Sequence, residues 1–342
     1  MLSIEEFKDN FCFVRGKTIA MVYIFEGDIS SGFSHFFIWK SNILTKWMNA
    51  IQELHCLPLI LDVRTFVDKA INKTLPHIDY VLNMNSGTDD LSSMALVPAT
   101  CSSIGVPCIP CNAVSIVTGE NKLLSNLIAK SSGLNVPSQL SPDNKDGIFR
   151  PINLGNSLGV IRGFNNNYEK GIYQQFIHGY DITTPVVYNA ITQKMDLLPT
   201  VMYLPDCKDT SWFNGENEKI TRKGYKFRII DLDQKTKEHY LKLVDIMSIQ
   251  TFCRIDARVE CKQPEYYHNI KNNIAPFENV HFIEINVMPT IRYNNNFNYS
   301  FDHIDPSNSF YSCVTCQKEI VGSVNLHSFL LASSMLSFQH SH

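Results

Sequence analysis

Charge, long apolar runs and internal repetition are all scarce in this sequence. Charged residues make up 18% of the 342 residues and the formal net charge is −3, which gives no support for a nucleic-acid or membrane-surface partner. No apolar run approaches the roughly 18–20 residues needed to span a bilayer. The N-terminus, MLSIEEFKDN, carries acidic residues and lacks a basic stretch followed by an apolar one, so no signal peptide is expected. Repeats and heptads are absent. The eleven histidines are scattered, with His340 and His342 expected in a frayed tail, and no Ser/His or Cys/His arrangement suggests a covalent nucleophile. The expectation is a soluble, cytoplasmic globular protein, 44% hydrophobic and long enough for two or three modest domains.

Cysteine is plentiful by comparison. Ten scattered cysteines read as reduced thiols, many of them core fillers such as Cys253. Two pairs, Cys108/Cys111 and Cys313/Cys316, have ligand-like spacing and together could form a four-thiolate zinc site. They lie far apart, neither has the glycines of a zinc knuckle, and Pro110 stiffens the first. Chance spacing is the favoured reading.

Strand and helix signals alternate through residues 16–112. Lys17–Phe25 reads as a buried strand ending in a Gly/Asp/Ser-rich turn (Glu26–Gly32), followed by a helix over Phe36–Leu54. Strands at Leu57–Val63 and Asp79–Met84 and a helix at Ser93–Ile104 complete a parallel α/β pattern. Ile4–Phe13 is a short appended helix. The next unit opens with a helix over Asn121–Ser132, ended by Gly133. It continues through Gly147–Pro151, a Gly/Asn/Ser loop, Val160–Arg162 and a strand-like Gly171–His178. Larger strands follow, with a polar loop at Asp206–Lys226, a helix over Lys235–Ile249, and a surface excursion at Tyr266–Asn273. The expected division is 1–115, 116–180 and 181–342.

The most informative segments are two late strands, Thr251–Ala257 (TFCRIDA) and His281–Val287 (HFIEINV). Residues two apart in a strand share a face, so Arg254 projects with Asp256, and Glu284 with Asn286. The opposite faces, Cys253/Ile255/Ala257 and Ile283/Ile285/Val287, are apolar. If the strands pair, two carboxylates and an amide converge as hard ligands suited to Mg²⁺ held with nucleotide phosphates. Arg254 beside them can steady developing negative charge. Upstream, the loop Asn153–Gly159 (NLGNSLG) can wrap a phosphate or be a plain turn. Arg150 and Lys122 can meet triphosphate oxygens or be solvated charges. The run Tyr173–Asp181 (YQQFIHGYD) can hold an adenine edge, with Asp181 on the ribose hydroxyls, or be an ordinary strand and turn.

In this order, GVPCIPCNAVSIVTGENK, FRPINLGNSLGV, YQQFIHGYDIT, FCRIDARV and FIEINVMPTIR resemble the ATP-grasp superfamily, and within it the D-alanine–D-alanine ligase group, over roughly residues 17–300. The resemblance implies a parallel α/β N-terminal domain plus two α+β lobes closing over ATP. It implies Lys122 and Arg150 on ATP phosphates, with arginine where most members have lysine. Gly155, Asn156 and Ser157 would lie in the loop over the phosphates, Gln174, Gln175, Phe176 and Ile177 at adenine, and Asp181 at ribose. Asp256, Glu284 and Asn286 would bind two Mg²⁺ ions, and Arg254 would support a tetrahedral intermediate. Lys219 would be the mobile-loop lysine reaching the γ-phosphate.

Departures cluster on the acceptor side. Glu26 and Asp28 only approximate the family's D-alanine-selective glutamate. Asn83–Asp90 replaces a His-Gly…Gly-Glu-Asp-Gly segment, and the loop's first serine is Asn156, although Ser157 remains. The usual Pro-Gly becomes Pro289-Thr290, which leaves Thr290 and Arg292 as candidates for substrate contact, Arg292 gripping a carboxylate. The implied activity is an ATP-dependent carboxylate–amine ligase acting on a small acid and an amine. D-Ala–D-Ala ligation and a non-catalytic ATP-binding protein of the same fold are the alternatives. Related proteins are often dimers, so a homodimer is among the expectations.

Overall fold

The computed structural model describes residues 2–25, 41–87, 91–155, 157–164, 170–207, 209–215, 223–261, 274–291 and 295–340. In chain order these form helix α1 (Ile4–Phe11), strand β1 (Thr18–Tyr23), α2 (Ser41–Glu53), β2 (Leu57–Asp62), α3 (Val63–Ile71), β3 (Tyr80–Asn83), α4 (Leu91–Ile104) and β4 (Cys108–Ile109). Next come α5 (Ala113–Glu120), α6 (Lys122–Ser132), β5 (Gly147–Pro151), β6 (Ile161–Arg162), β7 (Gly171–Gln175), β8 (Gly179–Asn189), β9 (Lys194–Leu197), β10 (Thr200–Pro205) and β11 (Tyr225–Leu232). The chain continues with α7 (Gln234–Ile246), β12 (Phe252–Glu260), β13 (Ile274–Ala275), β14 (Val280–Asn286), α8 (Asn296–Asp302), α9 (Tyr311–Val321) and α10 (Leu326–His340).

Strands β2-β1-β3-β4 make a parallel sheet. The central strand β1 is apolar without alternation because both of its faces are covered. Ile19 and Met21 enter one core, and Ala20 and Val22 another. A small antiparallel sheet, β6-β5-β7, stands apart from a larger one ordered β13-β11-β10-β8-β12-β14, with β9 pairing β8. The α6 helix starts where expected because Asn121 Oδ1 accepts from the Leu123 and Leu124 N–H groups. It ends at Gly133, whose φ of 103° suits glycine.

Some expectations are corrected. The strand at Gly171 stops at Gln175 rather than reaching His178, because the Gln175 and Phe176 N–H groups turn to the Ser138 and Asp146 carbonyls. The α1 helix ends at Phe11 and continues as a 3-10 turn. His340 is not frayed: it closes α10 with Nδ1 2.8 Å from the Tyr188 hydroxyl. That helix is buried nearly all round, and its Ser328, Ser334 and Ser337 hydroxyls donate to carbonyls three or four residues earlier. The two cysteine pairs do not meet. Cys108 and Cys111 pack in two separate cores, and Cys313 and Cys316 together in a third. The excursion Tyr266–Asn273, residues 36–40 and His342 lie outside the described residues.

Candidate active site

Strands β12 and β14 pair antiparallel, with Arg254 opposite Asn286 and Asp256 opposite Glu284. All four side chains therefore share one face. Behind them Cys253, Ile255, Ala257, Ile285 and Val287 enter the core beneath α6 and α7. Ile283 departs from the expected alternation. A β-bulge beside Asp256 breaks the register, so Phe282 takes the core position and Ile283 lines the cavity.

On the open face, Arg254 grips Asp256 with a two-pronged pair, Nε to Oδ1 at 2.9 Å and Nη2 to Oδ2 at 2.7 Å. Asn286 Nδ2 donates to Asp256 Oδ2 at 2.8 Å, and the Thr183 hydroxyl donates to Oδ1. Burial alone would lower the Arg254 pKa, but the Asp256 carboxylate outweighs it and the net shift is upward. The guanidinium stays charged at any working pH.

The facing wall comes from the small sheet and α6. Arg150 on β5 is buried and donates from Nη2 to Glu284 Oε2 at 2.8 Å and from Nη1 to the Ile283 carbonyl at 2.9 Å. Burial pulls its pKa down, and Glu284 opposes that pull. Lys122, the first residue of α6, donates from Nζ to the Leu154 carbonyl at 2.6 Å and so anchors the Gly/Asn/Ser loop. Within that loop Gly155 has open space around it. Ser157 takes a left-handed φ of 62° and donates to the Asn214 carbonyl at 3.3 Å.

Arg258 was missed by the sequence reading. It lies two residues past Asp256 on the same face of β12, and the Arg254/Asp256/Arg258 spacing was a signal for it. Buried, it donates to the carbonyls of Ile177, Gly179 and Trp212 at 2.8–2.9 Å and to Asp181 Oδ1 at 2.6 Å. Asp181 Oδ2 accepts the Asn214 N–H at 2.7 Å. One side chain thus ties the segment after β7, the start of β8 and the segment after β10. Gly179 is required in that turn, because a Cβ there would collide with the Val259 carbonyl. The Arg162 and Arg258 guanidiniums stand over the Phe176 ring, 3.6 and 4.9 Å from its centre.

Glu120 is a second missed residue, marked only by lying two positions before Lys122. Burial raises its pKa to about 7, against the pull of Lys122 and with a further push from Glu284. These groups line a single cavity of about 340 Å³, within the range of ligand pockets. Its described lining carries Lys122, Arg150, Arg254 and Arg258 against Glu120, Asp181, Asp256 and Glu284. With all four carboxylates ionised these charges balance, and a proton on Glu120 leaves a net positive charge for an anionic ligand.

No protein-family model matches the sequence, and no curated protein matches it either. Solved structures do. The chain is similar to D-alanine–D-alanine ligase from Bacillus anthracis complexed with ATP, at 14% identity and a TM-score of 0.56. It is also similar to D-alanyl-alanine synthetase A from Vibrio cholerae, at 13% and 0.60, and to the VanG D-Ala:D-Ser ligase from Enterococcus faecalis, at 12% and 0.58. Each match covers 90% of this chain and 99% of the other. This is the ATP-grasp fold.

Within the ATP-grasp fold, the cavity brings together Lys122, Arg150, Gly155, Ser157, Gln174, Gln175, Phe176, Ile177, Asp181, Arg254, Asp256, Glu284, Asn286 and Thr290. Phe176 is 3% exposed and already covered by arginines, so it offers little free surface. Asn156, Lys219 and Arg292 lie outside the described residues, as do Glu26 and Asp28.

Proposed function

We propose that this protein is an ATP-dependent ligase joining the carboxylate of a small acid, an amino acid in the first instance, to an amine. The observation that carries this reading is the pairing of Arg254, Asp256, Glu284 and Asn286 on one face of β12 and β14, opposite Arg150 and Lys122. A binding protein without turnover would need the phosphate-facing cations; it would not need an arginine beside the metal carboxylates.

The donor set suits magnesium. Among the described residues no three His, Cys, Asp or Glu side chains form a self-sufficient metal cage. Mg²⁺ does not need one, since it commonly takes one or two carboxylates and completes its shell with phosphate oxygens and water. Asp256, Glu284 and the Asn286 amide oxygen would hold it, with two ions as the family resemblance implies. Bound there, magnesium would neutralise charge on the phosphate oxygens.

ATP is a substrate of the proposed reaction. The acid's carboxylate attacks the γ-phosphate and gives an acylphosphate and ADP. Lys122 and Arg150 attract the phosphates, while Gly155 and Ser157, with Asn156, provide the loop over them. The segment Gln174–Ile177 flanks the base. Asp181, fixed by Arg258, stands at the ribose, and Lys219 is assigned to the γ-phosphate by the family resemblance alone. The amine then attacks the acyl carbon, the oxyanion is met by Arg254, and phosphate leaves. Positioning and fixed charge supply the catalysis, so no enzyme nucleophile is needed. Thr290 and Arg292 follow the metal strand in sequence and would contact the acid or amine. The acceptor-side departures favour a product other than D-Ala–D-Ala.

The test is phosphate release from ATP and Mg²⁺ with a panel of L- and D-amino acids, followed by product mass. Acid-dependent release with a condensed product supports ligation. ATP binding without acid-dependent release supports a non-catalytic nucleotide binder, and D-Ala–D-Ala as sole product would restore the D-Ala–D-Ala ligase alternative.

A further inference from the structure

Beyond Thr183 the open face of the large sheet changes from charged to aromatic. Tyr203 on β10 pairs with Phe227 on β11, and Tyr225 follows two residues before Phe227, so all three rings share one face. Their neighbours on the opposite face, Met202 and Ile230, belong to the core. Tyr203 and Phe227 have ring centres 5.1 Å apart, Tyr203 and Tyr225 5.2 Å, and Tyr225 and Phe227 5.6 Å, mutually tilted by 82°, 53° and 52°. Trp212 extends the cluster 5.7 Å from Tyr225. Tyr225 and Phe227 are partly exposed, and all three sheet rings line the same cavity as Arg254 and Asp256.

A short polar path joins this wall to the metal carboxylate. Asn296 Nδ2 is 2.8 Å from the Tyr203 hydroxyl and 3.2 Å from Thr183 Oγ1, which in turn bonds Asp256. Asn296 and Thr290 also line the cavity, and both belong to the stretch that follows the metal strand. Across the sheet the rings on β10 and β11 neighbour β8, which carries Asp181 and Thr183, and the Asn296 path links them to Asp256. Faces and edges of rings set at steep angles to one another match a planar aromatic guest better than a methyl group, which would leave most of that surface wetted.

Resting on the ligase reading, we infer that Tyr203, Tyr225 and Phe227 form the side-chain pocket for an amino-acid substrate, and that this substrate carries an aromatic side chain.

Calorimetric titration of the full-length protein with L- and D-phenylalanine and L- and D-alanine tests this, with and without magnesium and a nonhydrolysable ATP analogue. One enantiomer of phenylalanine should bind at least tenfold more tightly than alanine of the same hand. Phe227→Leu and Tyr225→Leu, each checked for an unchanged unfolding temperature, should reduce the phenylalanine-to-alanine ratio about tenfold and change the analogue's Kd less than twofold. Equal affinity for alanine, no amino-acid binding, or variants that weaken the analogue instead would overturn the inference; the last result would mean the wall holds the base. Phosphate release driven by alanine and not by phenylalanine would remove the aromatic pocket and leave the ligase standing. Phenylalanine binding through these rings without any acid-driven release would keep the pocket and remove the ligase.

Discussion

The two ends of one sheet face solve different problems. At the β12–β14 end Arg254, Asp256, Glu284 and Asn286 stand on the open face beside Ile283, and each of the four is held by a neighbour, Arg254 by Asp256 and Glu284 by Arg150. At the β10–β11 end the same face presents Tyr203, Tyr225 and Phe227, which touch through ring edges and faces. Paired charges are costly to break, because the surviving partner is left desolvated. Aromatic neighbours can be exchanged at modest cost. On the proposed reading the charged end carries the phosphate chemistry and the aromatic end the choice of substrate.

Substitutions at the charged end should break this contrast most strongly. Glu284→Gln and Asp256→Asn are expected to lower turnover by about 10³-fold or more, read by phosphate release, while circular dichroism shows an intact fold. Near-normal turnover in either would remove the metal assignment. Arg254→Ala should lower kcat by about 10²-fold and ATP affinity by much less. A change confined to ATP affinity would take Arg254 out of the oxyanion role.

Arg258→Met should act on stability. It removes the ties to Ile177, Gly179, Trp212 and Asp181 and leaves Asp181 without its cation. A loss of about 3 kcal/mol is expected, measured by denaturant unfolding; a loss under about 0.5 kcal/mol would show that Arg258 is no organiser.

The smallest effect belongs to Glu120. Its carboxyl is raised to about 7 by burial, above the ordinary carboxylate value, so the folded protein binds the extra proton. Its contribution to stability is full below about pH 4.5 and is lost as pH rises through 7. Glu120→Gln removes that decline, and its unfolding temperature should gain on wild type between pH 5 and 7.5. A constant difference across that range would contradict the raised value.

How much of this was legible in the sequence depended on whether the signal was local. The Arg254/Asp256 and Glu284/Asn286 pairs could be read because a strand's period of two is written in adjacent residues. Asn121 and Gly133 marked the bounds of α6 for a similar reason. Ile283 was misplaced because a bulge arises from pairing between strands and leaves no mark in one strand alone. Phe176 looked free for a base, yet Arg162 and Arg258, distant in sequence, cover it. Tyr203, Tyr225 and Phe227 went unnoticed since aromatic residues on strands usually mean core; only the sheet order places them on the open face.

The most direct test of the account is equilibrium binding of a nonhydrolysable ATP analogue in magnesium and in EDTA, to wild type and to Asp256→Asn. The account predicts binding at least tenfold tighter with magnesium in the wild type, and loss of that magnesium advantage in the variant. Binding indifferent to magnesium, or an advantage that survives the loss of the Asp256 carboxylate, would contradict it.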